Sequence, residues 1–371
     1  MKIVAGTFQS GFIDDNGVLR GIGREAGLTR LESREDFVPV RDASFDGWGY
    51  IFAGDDGGCW KSSIETGAVL TNVTVEREPR ERRRRIVGPE GVSAVGLSSA
   101  HALAVDSDGR VWSWGHNGTG QLGRDCREDF TPAPIAGLDG VVAVSVSGSI
   151  DPRGGYSIAL DHDGVMWTWG DGNMGVLGEA SRPFTSRGTP QPIRDVPKMV
   201  SVSAGYCHAV SIDTTGKLWL WGANYDETLG FRSPAYEGKK RQLVEICDTP
   251  TQLDLGTRFV SAAASNCGHN LTYQELWTGA IDETGGLWTW GDGSAGALGT
   301  SSRKRQAVPE RRETEATFVA IDIGAHHSLA LDDQGACWTW GGNTRFAAAG
   351  TVLGHGSKKG EFAPKKVVDG V

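Results

Sequence analysis

The sequence predicts an all-β chain, a seven-bladed β-propeller of four-stranded antiparallel blades. Three observations carry that expectation. First, a Trp-x-Trp-Gly phrase recurs five times: Val-Trp-Ser-Trp-Gly at 111–115, Met-Trp-Thr-Trp-Gly at 166–170, Leu-Trp-Leu-Trp-Gly at 218–222, Leu-Trp-Thr-Trp-Gly at 287–291 and Cys-Trp-Thr-Trp-Gly at 337–341. A phrase returning every ~50–70 residues marks a repeat array. Second, apolar residues alternate over short runs bounded by Gly, Asp and Pro, the pattern of half-buried strands. Third, every copy sits in the same surroundings, so one unit explains the others.

Each unit contains four strands. A Val-rich strand opens it, as at Val141–Val146 and Met199–Val202. The second strand begins at His101, Tyr156, His208, Trp277 or His327 and ends at an Asp-x-x-Gly turn, where Asp bonds the local backbone and Gly takes positive φ. The Trp strand is third. Its two indoles project from one strand face and are expected to fill the wedge between blades, with ~150–250 Å² of ring area each. A Gly-rich loop ending in Leu-Gly follows, at Leu122-Gly123, Leu177-Gly178, Leu229-Gly230, Leu298-Gly299 and Leu353-Gly354. The fourth strand carries Pro, as in Thr131-Pro132-Ala133-Pro134-Ile135, and so suits an edge, because Pro cannot donate to a ladder.

Two worn copies stand at the front. Gln9–Asp14 leads to Val18–Gly23, with Arg20 and Ile22 in place of the Trp pair. Tyr50–Phe52 leads to Cys59-Trp60, with Ser62 in place of the second Trp. Arg-Glu-Asp-Phe at 34–37 recurs at 127–130, before the Pro segment each time. The blades are expected at about 1–39, 40–89, 90–138, 139–197, 198–256, 257–316 and 317–371, all in one domain. A lone four-stranded sheet cannot bury both faces, whereas seven in a ring bury each against a neighbour.

The stretch Asp-Gly-Arg-Val-Trp-Ser-Trp-Gly-His-Asn-Gly-Thr-Gly-Gln-Leu-Gly at 108–123 resembles the repeat of the regulator of chromosome condensation family. The likeness is strong over about 86–371 and weak over 1–85, and the doubled Trp resembles the microbial or viral versions more than the nuclear one. It implies a seven-bladed propeller. It does not imply one activity, since the family spans a guanine-nucleotide exchange factor for a nuclear small GTPase, a secreted beta-lactamase inhibitor and a plant ultraviolet-B photoreceptor. Fold does not fix function.

Composition narrows the classes. A formal net charge of -9 argues against a general nucleic-acid binder and favours solubility. Apolar runs are too short for a membrane-spanning helix. Residues 1–9 hold no apolar core long enough for a signal peptide, so an intracellular setting is expected, with a viral particle as the alternative. The six cysteines (Cys59, Cys126, Cys207, Cys247, Cys267 and Cys337) show no zinc spacing. Free thiols are expected, the alternative being a Cys247–Cys267 disulfide. No nucleophile triad, phosphate loop or metal motif is present, so no enzyme, cofactor or metal is expected. His101, His208 and His327 read as core residues with backbone partners.

A binding site is expected on one rim. In a four-stranded meander the first-to-second and third-to-fourth connections share a face, and the elaborations fall there: 62–86, 147–155, 222–250, 265–276 and 341–363. Long loops on a rigid scaffold are where binding resides. Tyr225, Phe231, Arg232, Tyr236, Lys239, Lys240 and Arg241 lie on one such loop, and Asn266, His269 and Tyr273 on the next. Aromatics with Arg are the residue types of interface hot spots; packing of these residues on one another is the alternative. The Arg80 and Arg82–Arg85 run offers a basic patch or a loop neutralised by Glu76, Glu78 and Glu81. The function expected is a non-enzymatic protein-binding propeller engaging a macromolecular partner, in a large assembly such as a virion. The alternatives are a guanine-nucleotide exchange regulator and an enzyme-inhibitor propeller.

Overall fold

The computed structural model describes residues 1–6, 10–22, 28–30, 39–46, 49–62, 83–148, 154–180, 185–232, 245–266, 276–342, 353–355 and 360–367. They form seven sheets, each of four strands in chain order, with antiparallel neighbours throughout. No α-helix occurs among them. The inner strands are Lys2–Ala5, Val40–Phe45, Ala94–Leu97, Val141–Gly148, Met199–Ala204, Phe259–Ala264 and Phe318–Ile323. Each is followed outward by the second, third and outer strands of its blade.

The core is divided among the wedges between blades. One apolar cluster joins Ile51, Ile86 and Cys59 of blade two to Val95, Leu97 and Trp114 of blade three. Further clusters repeat this around the ring. The ring closes between two complete blades, where Ile3, Phe12 and Ile22 of blade one meet Leu329, Leu331 and Cys337 of blade seven. The second Trp of each phrase, Trp114, Trp169, Trp221, Trp290 or Trp340, is fully buried in such a wedge. The first is only half-buried, so the two indoles share a strand face but not an environment. Trp112, Trp167, Trp219, Trp288 and Trp338 each donate the indole N–H to the hairpin Asp six residues earlier, at 2.8–3.0 Å. That Asp also accepts two backbone N–H groups of its own turn, as Asp161 does from Asp163 and Val165.

Polar side chains bridge the inner strands. The hydroxyls of Ser44, Ser145 and Ser203 accept the backbone N–H of Leu97, Ala204 and Ala264 in the following blade. Ser261 and Asp42 do the same one tier away, for Ile321 and Val95. Asp322 performs it at the seam, accepting from Ala5 at 2.8 Å. Burial pushes the Asp322 carboxyl up to about 6 despite its two backbone donors. At the opposite end of five inner strands, the first residue donates to the hairpin glycine of the preceding blade, as Met199 does to Gly164 and Phe259 to Gly216.

The second-strand histidines differ from expectation in their partners. His101, His208 and His327 are fully buried, but each reaches a hydroxyl of the next blade and not a backbone group. The pairs are His101 with Ser157, His208 with Thr278, and His327 with Ser10, at 2.8, 2.8 and 2.5 Å. Burial lowers each imidazole to about 3. Strand bounds also differ from the loop limits read from sequence. Arg83–Glu90 is the outer strand of blade two and Ile246–Leu253 that of blade five, so Arg84 and Arg85 stand on a strand, with Arg85 paired to Glu90 at 2.5 Å. Arg80 and Arg82 lie outside the described residues. Cys59, Cys126, Cys207, Cys247 and Cys337 form no disulfide among the described residues, and burial pushes the Cys59 and Cys337 thiols up to about 12. Cys267 lies outside the described residues.

Candidate functional site: the loop-bearing rim

The third-to-fourth loops show how the repeat builds a rim. In blade five, Asn224 Oδ1 accepts the Leu229 N–H at 2.9 Å, and its amide donates to the Phe231 carbonyl. That clamp holds a 3-10 turn over Tyr225–Glu227. Asn117 forms the same clamp in blade three, with Leu122 N–H and the Cys126 carbonyl. The turn needs a residue at positive φ, supplied by Gly120, Gly175 and Gly296 in blades three, four and six. Blade five puts Glu227 there, at φ 63, preceded by Asp226 at φ 53. Two successive non-glycine residues in the left-handed region store strain of about 1–3 kcal/mol each, and such strain clusters at functional sites.

This loop is tied to its neighbour. Arg305 of blade six donates to Asp226 at 3.2 Å. Tyr225 is half-buried on a small apolar cluster of Tyr206, Cys207, Ala223, Leu276 and Ala325, which lies beneath the rim across blades five to seven. Nearer the axis, Asn266 reaches from blade six to blade four, where its amide meets the Val146 carbonyl and its oxygen accepts from Ser147, at 3.4 and 3.3 Å. Asn266 therefore spans the end of the central channel, a cavity of about 410 Å³ walled by the inner strands.

Of the nine candidate residues, three are described. Arg232 is exposed, Tyr225 half-buried, and Phe231 half-buried against the blade five–six wedge. Phe231 thus packs partly inward. Tyr236, Lys239, Lys240, Arg241, His269 and Tyr273 lie outside the described residues. Sequence reading missed Asp226, Glu227 and Arg305. The signal for Glu227 was present, since it replaces a glycine that recurs in three other blades. Among the described residues no group of three or more His, Cys, Asp or Glu side chains could hold a metal ion. None of their helices is long and apolar enough to cross a membrane.

Comparison with known proteins agrees with this architecture. The model of the RCC1-like domain family matches residues 61–371. Over 289 residues the chain is 28% identical to the human E3 ubiquitin-protein ligase HERC2, covering 77% of this chain and 5% of that one. It is 26% identical to the Ultraviolet-B receptor UVR8 of Arabidopsis thaliana, covering 65% of this chain and 50% of that one. The chain therefore spans half or less of these relatives. Among solved structures, Prp20p from Saccharomyces cerevisiae superimposes with a TM-score of 0.69 at 19% identity, covering 90% of this chain and 83% of that one. This likeness is one of fold.

Proposed function

We propose, since this chain belongs to the RCC1-like domain family, that it is a non-enzymatic propeller that grips a protein partner with its loop-bearing rim. The observation that carries this reading is the strained Asp226–Glu227 turn. Blades three, four and six place Gly120, Gly175 and Gly296 at the Glu227 position, so the turn itself does not require Glu there; the Asp226 position holds Thr119, Met174 and Ala295, and Met174 is also left-handed at φ 68. The cost carried by Glu227, whose side chain is buried, points to a role in shaping the rim that a partner meets. The exposed Arg232, and Arg305 bound to Asp226, supply the charged groups that interfaces favour beside aromatic anchors. Tyr236, Lys239, Lys240, Arg241, His269 and Tyr273, which lie outside the described residues, are included in this proposal from their place in the sequence.

Replacing Arg232, Tyr236 and Arg241 with Ala, singly and together, tests the reading. Capture of a partner from the source lysate should fall while the melting temperature stays put. Retained capture by the triple variant would remove the rim from the account, and loss of folding would make these side chains structural.

Guanine-nucleotide exchange is the second reading. It rests on the match to Prp20p, a structure described together with binding to Gsp1p and histones. Faster release of a fluorescent guanine nucleotide from a small GTPase would support it. Inhibition of an enzyme and membership of a virion draw no support from the relatives compared above, which are eukaryotic.

A further inference from the structure

The apolar side chains left exposed fall into register. Among the described residues the large ones are Met1, Val87, Val142, Val200, Val260, Val308 and Val319. Five of these seven share one repeat position. In blades four to seven the inner strand opens on a β-bulge, between Val141 and Ala143, Met199 and Ser201, Phe259 and Ser261, and Phe318 and Ala320. A bulge leaves its extra residue outside the ladder. Those residues are Val142, Val200, Val260 and Val319, exposed at 53%, 57%, 57% and 45%. Met1 holds the place in blade one, because Ala5 pairs with Ser10 as Val146 pairs with Ser157. The fold does not demand an apolar side chain here. Blade two bulges in the same way around Arg41, and blade three has Ser93 next to Val92, whose N–H makes the equivalent bond to Gly57.

The position lies at the hairpin end of the inner strands, and Val142 and Arg41 line the central channel there. Five consecutive blades, four to seven and then one, therefore present an apolar crescent around the channel mouth, on the face opposite the long loops. Around it stand the seven hairpin tips. Each shows two exposed residues: Asp15-Asn16, Asp55-Asp56, Ser107-Asp108, His162-Asp163, Thr214-Thr215, Glu283-Thr284 and Asp333-Gln334. Six tips carry an acid and none carries Lys or Arg. Arg41 offsets Asp55, Arg110 offsets Asp108, the Met1 amino group binds Asp15 at 3.2 Å, and Arg258 approaches Glu283 at 4.0 Å. Asp56, Asp163 and Asp333 have no Lys or Arg partner among the described residues.

We propose that this hairpin face is a second docking surface whose occupant is a basic polypeptide segment. Its apolar side chains sit on the valine crescent, and its Lys or Arg residues meet the acidic tips. The charge pattern selects this occupant. A second copy docking by the same face would bring two acidic crowns together, since a two-fold contact pairs a patch with itself. Nucleic acid and anionic lipid are repelled by the same crown.

The test uses the full chain and three short fluorescent peptides: Lys/Leu amphipathic, Lys/Ser, and Glu/Leu. Anisotropy should show the Lys/Leu peptide binding more tightly than either control, and more weakly as salt rises. The Val200→Ser, Val260→Ser double variant, and separately Asp56→Asn with Asp333→Asn, should each weaken it by at least about tenfold. Arg232→Ala, on the opposite rim, should leave it unchanged. All substituted side chains are exposed, so a melting temperature equal to the parent's confirms folding. Equal affinity for the Glu/Leu peptide, or indifference to the valine substitutions, overturns the proposal. So does a dimer in sedimentation equilibrium that the valine substitutions dissolve, which assigns the face to self-association.

Discussion

At the scale of single residues, the Trp-x-Trp pair separates two jobs. Trp221 is fully buried and donates to the Val176 carbonyl of the preceding blade. Trp219 is half-buried and donates to Asp213 of its own hairpin. Trp221→Ala should destabilise by ~3–5 kcal/mol, as for large core truncations, and Trp219→Ala by clearly less; urea unfolding with unchanged m-value checks both. Glu227 tests stored strain. Relief of a left-handed side chain returns roughly 1 kcal/mol, so Glu227→Gly should hold or raise the melting point while weakening partner capture. Retained capture would make the strain irrelevant to binding.

At the scale of elements, the second strands set the acid limit of the fold. The imidazoles of His101, His208 and His327 sit at about 3 in the folded state, below the ordinary value near 6.5. Between those values the unfolded chain binds more protons, so stability is full above about pH 6.5 and falls as pH drops toward 3. Each imidazole can contribute up to roughly 4 kcal/mol of this loss. Asp322 acts with opposite sign. Its raised value means that the folded state binds the extra proton between about 4 and 6, and stability falls as pH rises through that window. Denaturant midpoints from pH 3 to 8 should show the histidine slope dominating, and His208→Gln should flatten part of it. An unchanged slope in that variant would mean that another group governs acid unfolding.

At the scale of the whole molecule, the repeat grammar made the architecture legible. The Trp phrase, the Asp-x-x-Gly hairpins and the Pro strands recur with fixed offsets, so each element explained its counterparts in other blades. Even the Asp–Trp bond was latent, in an offset of six residues kept in five blades. The histidine partners were not legible, because Ser157, Thr278 and Ser10 come from a neighbouring blade and only closure of the ring brings them near. The rim was legible only as a location. Its distinctive residues, Asp226, Glu227 and Arg305, depend on a backbone conformation and on contact between loops, neither of which leaves a periodic trace. The valine crescent lay unseen for a different reason: a residue in a bulge breaks the alternation by which strands are recognised.

The hydroxyl and carboxylate bridges between inner strands have a consequence for life in a crowded solution. An unpaired strand edge is a template onto which another chain can add. Here the inward edges of Leu97, Ala204, Ala264, Ile321 and Ala5 have N–H groups already taken by the adjacent blade, and the outer strands of blades three to seven are interrupted by Pro132, Pro190, Pro250, Pro309 and Pro364. The twenty-eight strands among the described residues thus offer little edge for runaway sheet growth, and the protein is expected to stay free of fibrils when concentrated, which dye-binding assays at high concentration would check.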